Sequence, residues 1–479
     1  MSKLLKDKAY INGTWVAADS GKTFDVTNPA TEKTIGNLPD LGEAETERAV
    51  DAAHKAFPEW SGMLAVDRQK VLEKWYDLIV EHVDDLVEIL TMEQGKPHKE
   101  AKGEILNGAG FIKWYAEEGR RIYGDNIPSN ADNQRIVVIK QPVGVAAMIT
   151  PWNFPSSMIT RKAAAALGAG CTVVIKPAEA TPYSALALAH LADQAGFPKG
   201  VFNIVTGDAK TIGEVLTSHP KVKKFSFTGS TAVGKKLMAQ CADSVKKVSL
   251  ELGGNAPFVI FEDADMDKAV DGAITSKFRN AGQTCICANR IFVHENIYDD
   301  FLNRFVEKTK ALKLGHGDDD KTDIGPMINR DGVEKAYELL KDAIDNGAEL
   351  HCGGEMRDDL GPRFLEPAVI TDVKPSMRIF KEEIFGPVAA LYKFSSTDEV
   401  VKMANDTQYG LAAYIYTNDL KRAWEVPEAL DYGMVGVNSS LLSLPQAPFG
   451  GVKQSGFGRE GAKYGLDDYI QIKYMSVQF

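Results

Sequence analysis

VGVAAMITPWNFPSSMITRKAAAALGAGCTVVIKPAEATP, residues 143–182, holds two short runs, VGVAAMI and TVVIKP, that are apolar throughout. The second is stopped by Pro177, and a helical pattern around MITRKAAAAL lies between them. A strand with one wet face alternates, whereas a strand covered on both faces does not. The same texture continues: SALALAHLADQAG (184–196) reads as a helix, and VFNIV, KKFSFTG and KVSLEL read as further strands. Apolar strands separated by helices predict a parallel sheet, so 143–252 is expected to be a doubly wound nucleotide-binding unit. Upstream, 66–90 spaces Val71, Trp75, Leu78, Ile79, Val83, Leu86 and Leu90 as one amphipathic helix. Downstream, a second αβ series follows: PFVIF, a helix over DADMDKAVDGAITSKFRN, IFVHENI, a helix over VEKAYELLKDAIDNGA, then AAYIYT and GMVGVN. The tail IQIKYMSVQF alternates weakly and has no obvious partner nearby, so it is expected to pair with another subunit's edge.

The chain has 479 residues, too many for one simple core, and a formal charge of -11. With no basic surplus, a nucleic-acid backbone is excluded as the main partner, while a small anionic substrate is not. The stretches 141–160 and 433–452 carry no charge, but their Pro, Asn and small polar residues disqualify them as membrane spans. No secretory h-region opens the chain. The five cysteines are odd in number and unevenly spaced, which fits reduced thiols in the cytoplasm, and no metal site is expected.

SKFRNAGQTCICANR (276–290) sets Cys285 in a loop whose Gly282, Gln283 and Thr284 suit an irregular backbone. A thiolate nucleophile needs a base, a donor for the developing oxyanion and an acceptor for what leaves. VSLELGGNAPFV puts Glu251 at a strand end among apolar neighbours, where a raised pKa would suit a general base. TPWNFP holds Asn153 between two prolines. KPAEATP puts Lys176 and Glu179 straight after a parallel strand, where nucleotides bind in doubly wound sheets. FTGSTAVGKKL opens a helix after another strand, so Gly229 and Ser230 are expected to expose N–H groups to a pyrophosphate. Each alone also has a plain reading as loop, cap or packing residue. Cys287 reads as a small packed residue, although the C-x-C spacing also permits a disulfide with Cys285.

TPWNFP, KPAEATP, FTGSTAVG, LELGGNAP, GQTCICANR, EEIFGPV and PFGGVKQSGFGRE together resemble the aldehyde dehydrogenase superfamily, in family order and across essentially the whole chain. The resemblance implies an α/β fold: a Rossmann-type nucleotide-binding domain (1–122 and 142–252), a catalytic domain (253–453) and an oligomerisation arm (123–141 and 454–479). It implies Cys285 as nucleophile, Glu251 as base, and Asn153 with the Cys285 N–H as oxyanion donors. It places Thr150, Pro151, Trp152, Lys176, Ala178, Glu179, Gly229, Ser230, Leu252, Glu383 and Phe385 around the dinucleotide. The chemistry implied is a thiohemiacetal on Cys285, hydride transfer, and hydrolysis of the resulting thioester.

Arg161 and Arg279 would be costly to bury unpaired in a charge-free funnel, and a substrate carboxylate would satisfy them. With Ser443, they resemble the succinate-semialdehyde dehydrogenases within the superfamily, although the loop SSLLSLPQA departs from the pattern at Leu444 and Pro445. Glutarate semialdehyde or a broad range of aldehydes is the alternative, and a non-catalytic binding protein on the same fold is the different-class one. Glu179 can accept hydrogen bonds from a ribose 2′-OH but repels a 2′-phosphate, so NAD is expected, with NADP possible. A homodimer or homotetramer is implied.

Overall fold

The computed structural model describes residues 3–479. The expected strands form the centre of one sheet: Lys247–Glu251, Val222–Thr228, Val145–Ile149, Thr172–Lys176 and Phe202–Ile204, neighbours in that order and all parallel. Antiparallel strands close its edges, Gly456–Phe457 beside Glu251 and the pair Ala9–Ile11 and Thr14–Val16 beyond Ile204. A second sheet runs Glu349–Cys352, Ala368–Thr371, Val388–Phe394, Ala288–His294, Ala256–Ile260, Ala412–Tyr416 and Met434–Val437, parallel except at its first pair. Separate apolar cores follow from this, one built from residues between 256 and 449, the others from residues up to 252 plus 466–470.

The helix Pro155–Ala169 is buried along its whole length. Its small residues allow that, because the neighbouring helix His98–Glu118 approaches to backbone distance. A Cβ on Gly168 would lie 2.8 Å from the Tyr115 carbonyl oxygen, and one on Gly108 would lie 2.7 Å from Thr160 Oγ1. Alanine and glycine here are a consequence of close helix packing.

Three expectations are corrected. The single helix over 66–90 is two, Ala65–Glu81 and Val83–Gln94, broken at His82, which caps both. Its apolar spacing is continuous because both pieces pack on the same core. The tail does have a partner in its own chain: Ile470–Gln478 pairs antiparallel with Gln134–Pro142, and Asp125–Ile127 adds a third strand. Residues 454–469 do not join that small sheet, since Gly456–Phe457 extends the first sheet and Leu466 and Tyr469 pack into its core.

Candidate active site

Parallel strands present their carboxyl ends together, and the candidate residues gather there. Pro151, Trp152 and Asn153 follow Val145–Ile149, Glu179 follows Thr172–Lys176, Gly229 and Ser230 follow Val222–Thr228, and Glu251 ends its own strand. Cys285 comes from the other sheet, between the helix Met266–Phe278 and the strand Ala288–His294. The backbone turns sharply there, with Asn280 and Ala281 both in the left-handed region at φ 53° and 54°. Gly254 must be glycine, because a Cβ on it would sit 2.2 Å from the Cys285 carbonyl oxygen.

Two cavities meet at Cys285. One of about 250 Å³ is lined by Trp152, Asn153, Thr228, Glu251, Glu383 and Phe385 among others. The second, about 260 Å³, is lined by Phe154, Arg161, Arg279, Leu441, Ser443 and Phe449 among others. Cys285 lines both. Burial pushes its thiol up to about 12, with Glu383 and Glu251 acting in the same direction against Arg161 and Arg279. Glu251 is buried with neither carboxyl oxygen hydrogen bonded. Burial, and then the Glu460 carboxylate, hold it well above the usual carboxylate range.

Asn153 is anchored on every side but one. Its Nδ2 donates to the Gln283 carbonyl (3.1 Å), and its Oδ1 accepts from the Phe154 N–H (3.1 Å). One Nδ2 hydrogen is left for the cleft. Glu383 Oε1 accepts from Gly254 N–H (2.9 Å), while burial raises its carboxyl to about 7. Phe385, at φ 53°, packs edge-on against Trp152.

The first cavity, which Lys176, Ala178 and Glu179 do not line, fits the nicotinamide end of a dinucleotide. It sits at the strand ends, its wall is made of Gly229, Leu252, Gly253 and Phe385, and Thr228 Oγ1 is buried there without a partner. Thr150 Oγ1, at the end of the neighbouring strand, is likewise unpartnered. Ala178 lies between Lys176 and Glu179, whose side chains pair at 2.7 Å, and Glu179 also accepts from Ala209 N–H (2.9 Å). The expected free N–H of Gly229 is corrected: it donates to the Glu251 carbonyl (3.0 Å), because the two strands remain paired to their ends. Ser230 caps the helix Thr231–Ala242 by accepting from Val233 N–H.

The charge-free funnel is corrected as well. Glu100 and Glu104 line the second cavity, on a helix remote in sequence. Arg161 is already paired with Glu460 (2.5 Å), which also takes Lys162 (2.5 Å), and its guanidinium lies 4.2 Å from the Phe449 ring centroid. Glu460 closes the motif PFGGVKQSGFGRE, and no local signal marked it as Arg161's partner. Arg279 differs. Among the described residues no carboxylate oxygen comes within 4.0 Å of it, and it lies 4.9 Å from the Phe154 ring centroid. Ser443 is on the rim, its carbonyl accepting from Asn107 Nδ2 (3.0 Å). Cys287 is packed, its thiol donating to the Lys277 carbonyl. Among the described residues no group of three His, Cys, Asp or Glu side chains is placed to hold a metal, and no helix is long and apolar enough to cross a membrane.

A doubly wound sheet facing a second αβ unit, with a part-exposed cysteine and a buried carboxyl at their junction, defines a dinucleotide-dependent oxidoreductase. The family model "Aldehyde dehydrogenase family" matches residues 15–475, and the chain belongs to that family. It is 53% identical over 99% of its length to the NADP-dependent succinate-semialdehyde dehydrogenase of Escherichia coli, covering 98% of that protein. It is 55% identical over 98% of its length to a 3-sulfolactaldehyde dehydrogenase of Pseudomonas putida, covering 97% of it. The crystal structure of succinate-semialdehyde dehydrogenase from Burkholderia pseudomallei superposes with a TM-score of 0.99 at 55% identity, covering 100% of this chain and 99% of that one.

Proposed function

We propose that this protein oxidises succinate semialdehyde to succinate with NAD(P), through a thiohemiacetal and then a thioester on Cys285. The observation that carries the reading is Cys285 at the junction of two cavities, one at the strand ends fitting the nicotinamide end of a dinucleotide and the other holding Arg279 with no carboxylate oxygen within 4.0 Å among the described residues.

With its pKa pushed up to about 12, Cys285 rests as a thiol and needs a base. Glu251 is that base: a carboxylate kept from water and from hydrogen bonds takes a proton readily. The sulfur then adds to the aldehyde carbon while the free N–H of Asn153 and the Cys285 N–H meet the oxyanion. Lys176, Glu179, Glu383 and Phe385 would hold the nicotinamide dinucleotide, which when bound supplies the hydride acceptor of the reaction. Once that first proton has left to solvent, Glu251 takes a proton from the water that hydrolyses the thioester and returns it to the departing sulfur, releasing the acid and restoring the thiol. Thioester lability is why sulfur suits this order better than oxygen.

Arg279 grips the far carboxylate of the substrate, with Ser443 on the rim and Arg161 supporting from its pair with Glu460. One methylene separates the succinate from the glutarate substrate, worth about 1–3 kcal/mol, so chain length rests on the Leu441–Ser443 rim. Glu179 supports a preference for NAD, and Lys176 against it leaves room for NADP. Residues 1–122 and 142–252 form the nucleotide-binding domain and 253–453 the catalytic domain. The three-stranded sheet is the oligomerisation arm of a homodimer or homotetramer, and the five free cysteines fit the cytoplasm.

The test is cofactor reduction with succinate semialdehyde, glutarate semialdehyde and propanal side by side, using each dinucleotide. The highest kcat/KM is expected for succinate semialdehyde with NAD. Equal efficiency on propanal would refute the substrate, and about tenfold (1.4 kcal/mol) in favour of NADP would refute the cofactor preference.

A further inference from the structure

Lys96 lies in the short turn between the helices Val83–Gln94 and His98–Glu118, and its side chain is fully buried. Its ammonium makes three contacts. It pairs with Glu104 Oε2 (2.5 Å), lies 3.9 Å from the Phe154 ring centroid, and donates to the main-chain carbonyl of Asn153 (2.8 Å). The other lone pair of that carbonyl is taken by Asn280 Nδ2 (2.9 Å), from the turn that leads into Cys285. Glu104 is held in turn, its Oε1 accepting the N–H groups of Ser156 (2.9 Å) and Ser157 (3.2 Å) at the start of the next helix. Gln94 ties the two sides together, accepting from Lys96 N–H and donating to Asn280 Oδ1 (3.0 Å).

We propose that Lys96 is a positioning residue that aims the side-chain amide of Asn153 at the oxyanion, by clamping the main-chain oxygen of the same residue. This rests on Asn153 being the oxyanion donor. Asn153 belongs to no helix or strand, so no ladder fixes its peptide plane. A peptide plane that tilts carries its own Cβ and Nδ2 with it, and a displacement of about 1 Å at a reacting centre costs on the order of a hundredfold in rate. Asn280 cannot supply this alignment alone, because it rides on the loop of the nucleophile. Lys96 ties Asn153 to the helical frame instead. Its contacts are internal, so it acts through Asn153 and does not touch the substrate.

The experiment replaces Lys96→Met together with Glu104→Gln, so that the Lys96–Glu104 pair is removed as a unit and Ser156 and Ser157 keep an acceptor. Asn153→Ala and the triple variant complete a cycle. The readouts are cofactor-free hydrolysis of an activated ester, which needs the oxyanion donor, Cys285 and its base, and alkylation of Cys285 by iodoacetamide, which needs the sulfur and its base but no oxyanion donor. The double variant is expected to lose about tenfold or more in ester kcat, with KM and alkylation rate within about twofold. Asn153→Ala is expected to lose about a hundredfold, and the triple variant no more than Asn153→Ala alone, because the two act in series. Additive losses, or alkylation slowed in parallel with hydrolysis, would overturn the positioning role. An Asn153→Ala enzyme that keeps its ester activity would instead sink the oxyanion assignment. If the methionine variant does not fold, Lys96→Gln with Glu104→Gln gives a neutral donor, and the same non-additivity is required of it.

Discussion

Glu251 is the residue whose environment is least like that of an ordinary carboxylate. It ends a strand, is buried, and has no hydrogen bond to its side chain. Because its folded-state pKa is raised, it is protonated at acid pH and gains base strength as pH rises. Thioester hydrolysis should therefore increase with pH, with an inflection above the usual carboxylate range, in steady-state rates of a cofactor-free ester. Glu251→Gln should flatten that profile and slow both the acylation and the deacylation of Cys285, read as the burst and steady-state phases of ester turnover. The two arginines should part company. Arg279→Ala is expected to raise KM for the semialdehyde by about ten- to a hundredfold and to leave propanal within about twofold, since one charge-assisted pair is worth about 1.5–3 kcal/mol. Arg161→Ala should harm both substrates, because it strips a cation from Glu460, whose carboxylate already pushes Glu251 upward. Equal KM effects of the two variants on propanal would refute this division.

At the scale of elements, the site depends on loops that only glycine allows. Gly254 approaches the Cys285 carbonyl, and Gly456, at φ 112°, lies against the Leu250 carbonyl where a Cβ would be 1.9 Å away. Gly456 is also the antiparallel partner of Glu251, so its strand seals the sheet edge beside the base. Gly456→Ala is expected to destabilise by about 2 kcal/mol or more in urea unfolding. Gly254→Ala should lower kcat as well as stability, since the backbone that its Cβ displaces is that of Cys285. Full activity in Gly254→Ala would show that the close approach is not needed. The strands around these loops were legible in their unbroken apolar runs, as in VGVAAMI and TVVIKP. The break at His82 was not, because two helices sharing one core keep one apolar phase.

For the whole molecule, the arm sheet is the conspicuous surface. Its strand Ile470–Gln478 leaves Ile472 and Tyr474 at 72% and 59% exposure, with Phe479 following, on a sheet of three strands that covers no core of its own. Such a sheet with bare apolar edges is stable when it adds to another. Ile472→Lys with Tyr474→Lys should shift the mass measured by light scattering toward the monomer, and an unchanged oligomer would refute the arm's assignment. A net charge of -11 is compatible with a small anionic substrate, since one local guanidinium group such as that of Arg279 suffices for it.

The amino-acid order by itself determined the alternation of apolar strands and helices, and hence the doubly wound class, because burial on both faces removes the polar alternation. It also determined where Cys285, Glu251 and Asn153 stand relative to strand ends, since loops at those ends are short. Only the tertiary structure decided partnership between residues far apart in the chain. Glu460 on Arg161, Lys96 on the Asn153 carbonyl and the tail on Gln134–Pro142 are separated by hundreds or tens of residues, and no local pattern encodes which buried charge faces which. The low-dielectric interior makes each of those pairings consequential, for a buried charge or carbonyl without its partner has no water to turn to.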